Sequence, residues 1–162
     1  MIFPRNSRLP VPPPALLLRP MKLIPQPLLE NLVALVAGRV LADALDDGSL
    51  DILKGRILAI TVSGPALRLR LTLAGGRLRS AGAGPADVTI SARADDLVLL
   101  AARRIDPDTL FFQRRLRLSG DTELGLAVKN VLDTVALETL PPALGSLLEH
   151  LADAVDPGAV GK

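Results

Sequence analysis

No cysteine, tryptophan or tyrosine occurs in these 162 residues, which hold three phenylalanines and a single histidine. The missing thiols exclude disulfides, thiolate metal sites and cysteine nucleophiles together, and they suit a reducing compartment. Aromatic side chains make up 2% of the chain against 49% hydrophobic residues, so any interior is built from Leu, Val, Ile and Ala. Nucleic-acid strands are bound by stacking on aromatics beside positive charge. With few aromatics and a net charge of only +2, no nucleic-acid partner is expected.

Long apolar runs are scarce too. Ala15 to Leu18 is a run of four residues set among Pro12, Pro13, Pro14 and Pro20, too short for the core of a secretory signal. The greasiest window, Leu28 to Leu45, carries Glu30, Arg39 and Asp43, which makes a poor membrane span and a good buried helix. A cytoplasmic protein with peripheral contact to the inner membrane is expected. The lone His150 has neither a Cys nor a second His to share a metal. Asp46-Asp47-Gly48-Ser49-Leu50-Asp51 breaks the ligand spacing of a calcium loop and reads as a helix stop. No nucleophile elbow, phosphate loop or dinucleotide fingerprint is present. No catalytic residue, metal ligand or cofactor is therefore assigned, and the chain is read as a non-enzyme.

What is present divides into a proline-rich basic arm over 1–25, one domain over 26–156 and a short tail over 157–162. The first 14 residues hold five of the 14 prolines, and Arg5, Arg8, Arg19 and Lys22 precede the first acid. Leu16, Leu17, Leu18, Leu23 and Ile24 beside those cations could dip into a headgroup layer or fold over the domain. Pro27 suits the first turn of a helix that runs to about Leu45. Its apolar residues cover more than one stripe, so it is buried on two sides or meets a ligand or partner chain as well as a sheet. That excess, with the arm, is the pointer to a homodimer.

Strands are expected at Arg56–Ser63, Leu67–Leu73, Arg77–Ser80, Asp87–Ser91 and Leu116–Ser119, with Gly75-Gly76 as a hairpin turn. Helices are expected at Asp95–Arg104, Asp121–Leu137 and Ala143–Val155. A short helical turn capped by Asp108 or Thr109 runs through Phe111. The order predicts an α+β fold: a five-stranded, mainly antiparallel sheet covered on one face by helices. In the fifth strand Leu116 and Leu118 point inward, and Arg115 and Arg117 form a basic outer face. Of the consecutive Phe111 and Phe112, one should enter the core and the other line a mouth. Gly125, inside a helix, implies close approach to its backbone by the protein's own sheet, another helix or an acyl chain.

The strings D-P-D-T-L-F-F-Q-R-R-L at 106–116 and G-D-T-E-L-G-L-A-V-K-N at 120–130, with A-L-D-D-G at 44–48 and L-K-G-R at 53–56, resemble the sterol-carrier-protein-2 (SCP2) type lipid-binding domain. Within it they are most similar to accessory factors of oxygen-independent ubiquinone biosynthesis. The resemblance implies an apolar tunnel between helices and sheet. Its expected lining is Leu69, Leu71, Val88, Ile90, Leu97, Leu100, Phe111, Phe112, Leu124, Val128, Val131 and Leu132. Arg103, Arg104, Arg114 and Arg115 are candidates for head-group or membrane contact. The implied partners are long-chain lipids (isoprenoid quinone precursors and phospholipids), the membrane surface and the hydroxylating proteins UbiU and UbiV. A phospholipid-transfer or membrane-sensing protein without a quinone role is the alternative.

Overall fold

The computed structural model describes residue 16 and residues 19–64, 67–134 and 140–156. Expectations for most of the proline-rich arm, for 135–137 and for the tail 157–162 lie outside the described residues. The chain runs through α1 (Gln26–Val40), α2 (Ala42–Asp46), β1 (Leu58–Ser63), β2 (Leu67–Ala74), β3 (Arg77–Ser80), β4 (Val88–Arg93), α3 (Ala94–Ala101), α4 (Pro107–Phe112), β5 (Arg117–Gly120), α5 (Thr122–Thr134) and α6 (Pro142–Val155). The long first helix expected to reach Leu45 is broken at Leu41, whose backbone leaves the helical region at φ −102°, ψ 21°.

The five strands lie in the order β3-β2-β1-β4-β5, antiparallel throughout except for the parallel pair β1 and β4. Strict alternation in β2 puts Leu67, Leu69, Leu71 and Leu73 inside and leaves Arg68 exposed. Register carries this across the sheet: Ile60 faces both Leu69 and Ile90, while Thr61 faces Arg68 and Ser91, and Ser91 faces Arg117. One face is aliphatic and receives the helices. The other carries arginines and hydroxyls. Gly75 and Gly76, at φ 59° and 70°, close the β2–β3 hairpin with the twist that two-residue turns require.

Helix α1 packs on β2 and β3, α5 on β4 and β5, and α3 on β4, with α6 lying on α3 as an outer layer. Of the alternatives left open for α1, burial on two sides by the protein itself, or contact with a ligand or partner chain, the first is not met. Only Leu29, Glu30 and Ala34 of that helix are buried, and Leu28, Leu32 and Leu35 are more than half exposed. Glu30 is its one buried charge, 2% exposed. Its carboxylate accepts the Gln26 side-chain amide at 3.0 Å, the Arg70 backbone N–H at 2.9 Å and the Ser80 hydroxyl. Those bonds tie α1 to the free edge where β3 ends beside β2.

Of the neighbours left open for Gly125, the protein's own sheet is the one present. A Cβ there would stand 3.3 Å from Val88 Cγ2 and 3.5 Å from Leu118 Cδ1, so α5 lies close upon its own sheet. Gly120 is more constrained: at φ +95°, an added Cβ would sit 2.3 Å from the Asp87 carbonyl oxygen, the atom that also accepts the Asp121 N–H. Gly120→Ala is expected to lower stability by about 2–3 kcal/mol from backbone strain alone, read as an earlier urea midpoint. An unchanged midpoint would mean that the β5–α5 corner is not built this way.

Two helix caps contribute to the acid response, beside Asp47, which hydrogen bonds from the Ser49 side chain and backbone also hold low. Asp106 is held below the ordinary carboxylate range by hydrogen bonds from Thr109, side chain first and backbone second. Asp121 is held low by the Leu124 backbone N–H first and then by Arg56. A carboxyl whose folded pKa lies below its unfolded value, about 3.9, stabilises fully above that value and loses its contribution as pH falls through the folded one. The melting temperature should therefore hold to about pH 5 and drop below about pH 4. Asp121→Asn should melt earlier at neutral pH with a shallower acid decline; an identical pH profile would contradict the assignment.

Candidate functional site

Two fully packed clusters support the domain. The larger gathers Val88, Ile90, Leu110, Leu116, Leu124, Val128 and Val131 around β4, β5 and α5, and the smaller holds Leu29, Val62, Leu67, Leu69 and Ala94. Val33, Ile60 and Leu97 touch both clusters yet are only partly buried. The reason is a cavity of about 470 Å³ at the seam. Helix α1 supplies Leu32, Val33, Val36, Ala37 and Val40, with Leu41 following. The sheet supplies Ile60 and Ile90; α3 supplies Leu97, Leu100 and Ala101; Leu116, Leu132 and Arg103 complete the wall. Leu32 and Arg103 are exposed, so the hollow reaches the surface. A second apolar cavity of about 320 Å³ adjoins it through Val36, Val40 and Ala101 and is otherwise walled by leucines of α6 and Leu140.

Of the twelve residues expected to line a lipid site, Ile90, Leu97, Leu100 and Leu132 stand in the wall of the larger cavity. Leu71, Val88, Leu124, Val128 and Val131 are packed within the larger cluster, and Leu69 within the smaller one. The paired phenylalanines depart from expectation altogether: neither enters the core. Phe111 is 38% and Phe112 80% exposed, while Leu110 between β5 and α5 is fully buried. The reason is helical geometry. Residues 107–112 form α4, whose cap is Asp106 and not Asp108 or Thr109, with Thr109 N to Asp106 Oδ1 at 2.7 Å. This turn points Leu110 inward and both rings outward, where with Arg114 and Arg117 they line a shallow groove beside edge strand β5. The expected lining named no residue of α1, although ligand contact by that helix was one of the alternatives left open. The signal was the excess of apolar residues on that helix.

A model of the SCP-2 sterol transfer family matches residues 32–133. The chain belongs to that family. The matched stretch spans α1 from Leu32 through nearly all of α5, the elements that enclose the larger cavity, and excludes α6. The ubiquinone biosynthesis accessory factor UbiT of Escherichia coli strain K12 is 47% identical over 145 residues, covering 90% of this chain and 83% of that protein. UbiT of Escherichia coli O157:H7 aligns to the same extent. Among solved structures, a UbiJ-SCP2 ubiquinone synthesis protein is 26% identical with a TM-score of 0.45, over 53% of this chain and 76% of that one. The sterol carrier protein domain 2 of Helicoverpa armigera is 18% identical with a TM-score of 0.43, over 57% and 79%.

The four arginines singled out in this SCP-2 family chain have different surroundings. Arg115 does not join a basic outer face; it binds the buried Asp96 through Nε at 2.9 Å and through Nη2, because β5 begins only at Arg117. Arg104 pairs with Asp153 of α6 at 2.7 Å. Arg103 and Arg114 sit just past α3 and α4 in the left-handed region, at φ 54° and 59°. There the Arg104 N–H reaches Leu99 O and the Arg115 N–H reaches Leu110 O, a helix stop usually completed by glycine. An L-residue in that conformation costs about 1–2 kcal/mol. The buried Lys129 is neutralised by Asp108. Among the described residues no group of His, Cys, Asp and Glu could hold a metal ion, and no helix is long and apolar enough to cross a membrane. His150 is exposed on α6, its Nδ1 2.6 Å from the Ser146 carbonyl.

The exchange of roles around α4 is testable by stability alone. Leu110→Ala should cost about 2–5 kcal/mol, as for a core leucine, whereas Phe112→Ala should fall within about 0.5 kcal/mol of wild type. Chemical denaturation of both variants decides it; a large loss on removing Phe112 would place that ring in the core after all.

Proposed function

We propose that the protein is a non-catalytic lipid carrier. It holds isoprenoid quinone precursors, and phospholipids alongside them, for oxygen-independent ubiquinone biosynthesis. The observation that carries this reading is the cavity of about 470 Å³ whose only charged lining residue, among the described residues, is Arg103. The 47% identity to proteins named as ubiquinone biosynthesis accessory factors supports the pathway. In this reading the two adjoining hollows join into one tunnel when a tail pushes Val36 and Val40 aside.

Burying a 16-carbon tail gains roughly 13 kcal/mol against water, at about 0.8 kcal/mol per CH₂. Against a bilayer it gains almost nothing. Lipids therefore exchange with a membrane without a thermodynamic trap, and the head group sets the preference. The exposed Leu28, Leu32 and Leu35 on α1, preceded by the exposed Arg19 and Lys22, support peripheral membrane contact at the mouth. They are also where a second copy would sit in a homodimer. UbiU and UbiV are the proteins to which the cargo would be presented.

One observation favours the second reading, phospholipid transfer without a quinone role: among the described residues no aromatic side chain lines the cavity to stack on a quinone ring. Lipids retained through purification and identified by mass spectrometry separate the two.

Val36→Trp and Leu97→Trp are the informative blocking variants. Both residues stand in the cavity wall, whereas Val128 and Val131 are packed in the core at 4% and 6% exposure. Overfilling is expected to cost about 1–3 kcal/mol of stability and to abolish binding of a fluorescent long-chain lipid analogue. Undiminished loading in folded variants would refute the cavity as the lipid site.

A further inference from the structure

Among the described residues Arg103 is the single charge in an otherwise aliphatic wall. It also stands where the chain would more easily carry glycine, in the left-handed conformation that ends α3. Nothing in the helix stop itself requires an arginine. The backbone bonds that form it, Arg103 N–H to Leu100 O at 3.0 Å and Arg104 N–H to Leu99 O at 2.9 Å, would be made equally well by glycine. The side chain uses Nη2 to donate to the Asp133 carbonyl at the end of α5. That contact leaves most of the guanidinium's five donors available.

The nearby carboxylates make no ion pair with it. A small recess behind Arg103 is lined by Asp106 and Asp133. Both oxygens of Asp106 are committed to capping α4, accepting the Thr109 N–H at 2.7 Å and its hydroxyl at 2.6 Å. The Asp133 side chain is exposed. Among the described residues Arg103 makes no ion pair, in contrast to Arg104 and Arg115. A guanidinium clamped by one backbone bond at the mouth of an oily hollow is a preorganised fork for a planar or tetrahedral oxyanion.

We infer that Arg103 is the head-group anchor of the cavity and selects amphiphiles whose head is an anion, a phosphate or a carboxylate, over neutral ones of equal tail length. The inference rests on the reading that tails occupy the cavity. It adds what that reading leaves open, the chemical class of the head.

The test compares dodecyl phosphate with dodecanol, both displacing a fluorescent long-chain analogue, in wild type, Arg103→Gly and Arg114→Gly. Arg103→Gly relieves the positive φ, so it should fold at least as well as wild type in a thermal melt. Arg114→Gly relieves the same strain at a position outside the cavity wall and controls for charge and backbone effects. Wild type and Arg114→Gly should prefer the phosphate by about ten-fold or more, the scale of a hydrogen bond to a charged group. Arg103→Gly should bind both compounds alike, with dodecanol unaffected in all three proteins.

A preference retained in Arg103→Gly, or missing in wild type while dodecanol still binds, overturns the anchor and leaves the cavity reading standing. Failure of both amphiphiles to displace the probe in wild type refutes the cavity reading itself. Inorganic phosphate alone should neither displace the probe nor erase the preference. Erasure by inorganic phosphate would make Arg103 a site for the free ion and overturn the amphiphile assignment.

Discussion

Helix α1 is tethered to the sheet by a buried carboxylate, and the position of that tether governs what the rest of the domain can enclose. Glu30 accepts bonds from the Arg70 backbone and the Ser80 hydroxyl at the margin where β3 ends. A helix with its side chains is about 10 Å across and strands are about 4.8 Å apart, so one helix covers roughly two strands. With α1 held over β2 and β3 and α5 over β4 and β5, no helix rests mainly on the central strand β1. Ile60 is left at the floor of the seam. A carboxylate taken out of water is tolerated only when fully hydrogen-bonded; three donors meet that condition here, and the two from the sheet also fix the helix against sliding inward to close the gap.

The composition suits such a seam. Apart from Arg103 at the mouth, the described wall of Leu, Val, Ile and Ala offers no polar side chain to recruit water and no flat ring to impose a shape, so a dry hollow there suits tails of varied outline. The opposite face of the sheet, with Arg68, Thr61, Ser91 and Arg117 in register across four strands, stays in water and keeps the domain one-sided. Helices therefore gather on a single face, and the leucines, isoleucines and valines of the sheet are directed at the same space.

Where sequence periodicity failed, a competing local rule or a partner distant in sequence was responsible. Two adjacent aromatics in an extended chain point to opposite faces, but Pro107 after the Asp106 cap starts a turn of helix, and Leu110 takes the buried place instead. Arg115 belonged by alternation to the outer face of a strand. It precedes that strand, and the buried Asp96, 19 residues away in sequence, captures it. Glu30 read as an argument against a membrane span, because its partners on β2 and β3 lie 40 and 50 residues downstream. Gly125 carried a correct warning of close approach, and only coordinates could name Val88 and Leu118 as the neighbours.

The chain's own order of residues determined the five strands, their inward leucines, the helix start at Asp121 and the aliphatic character of the interior, since each follows from side-chain period, turn chemistry or composition within a few residues. The resemblance of 106–116 and 120–130 to SCP2 domains placed the fold. The tertiary structure alone decided which apolar residues face a hollow and which face one another, because that depends on where two helices settle over one sheet. It also decided that Arg103, among four similar arginines, is the one at the cavity wall. The other three differ from it in nothing the local sequence records; they differ in the carboxylates and surfaces that distant segments bring beside them.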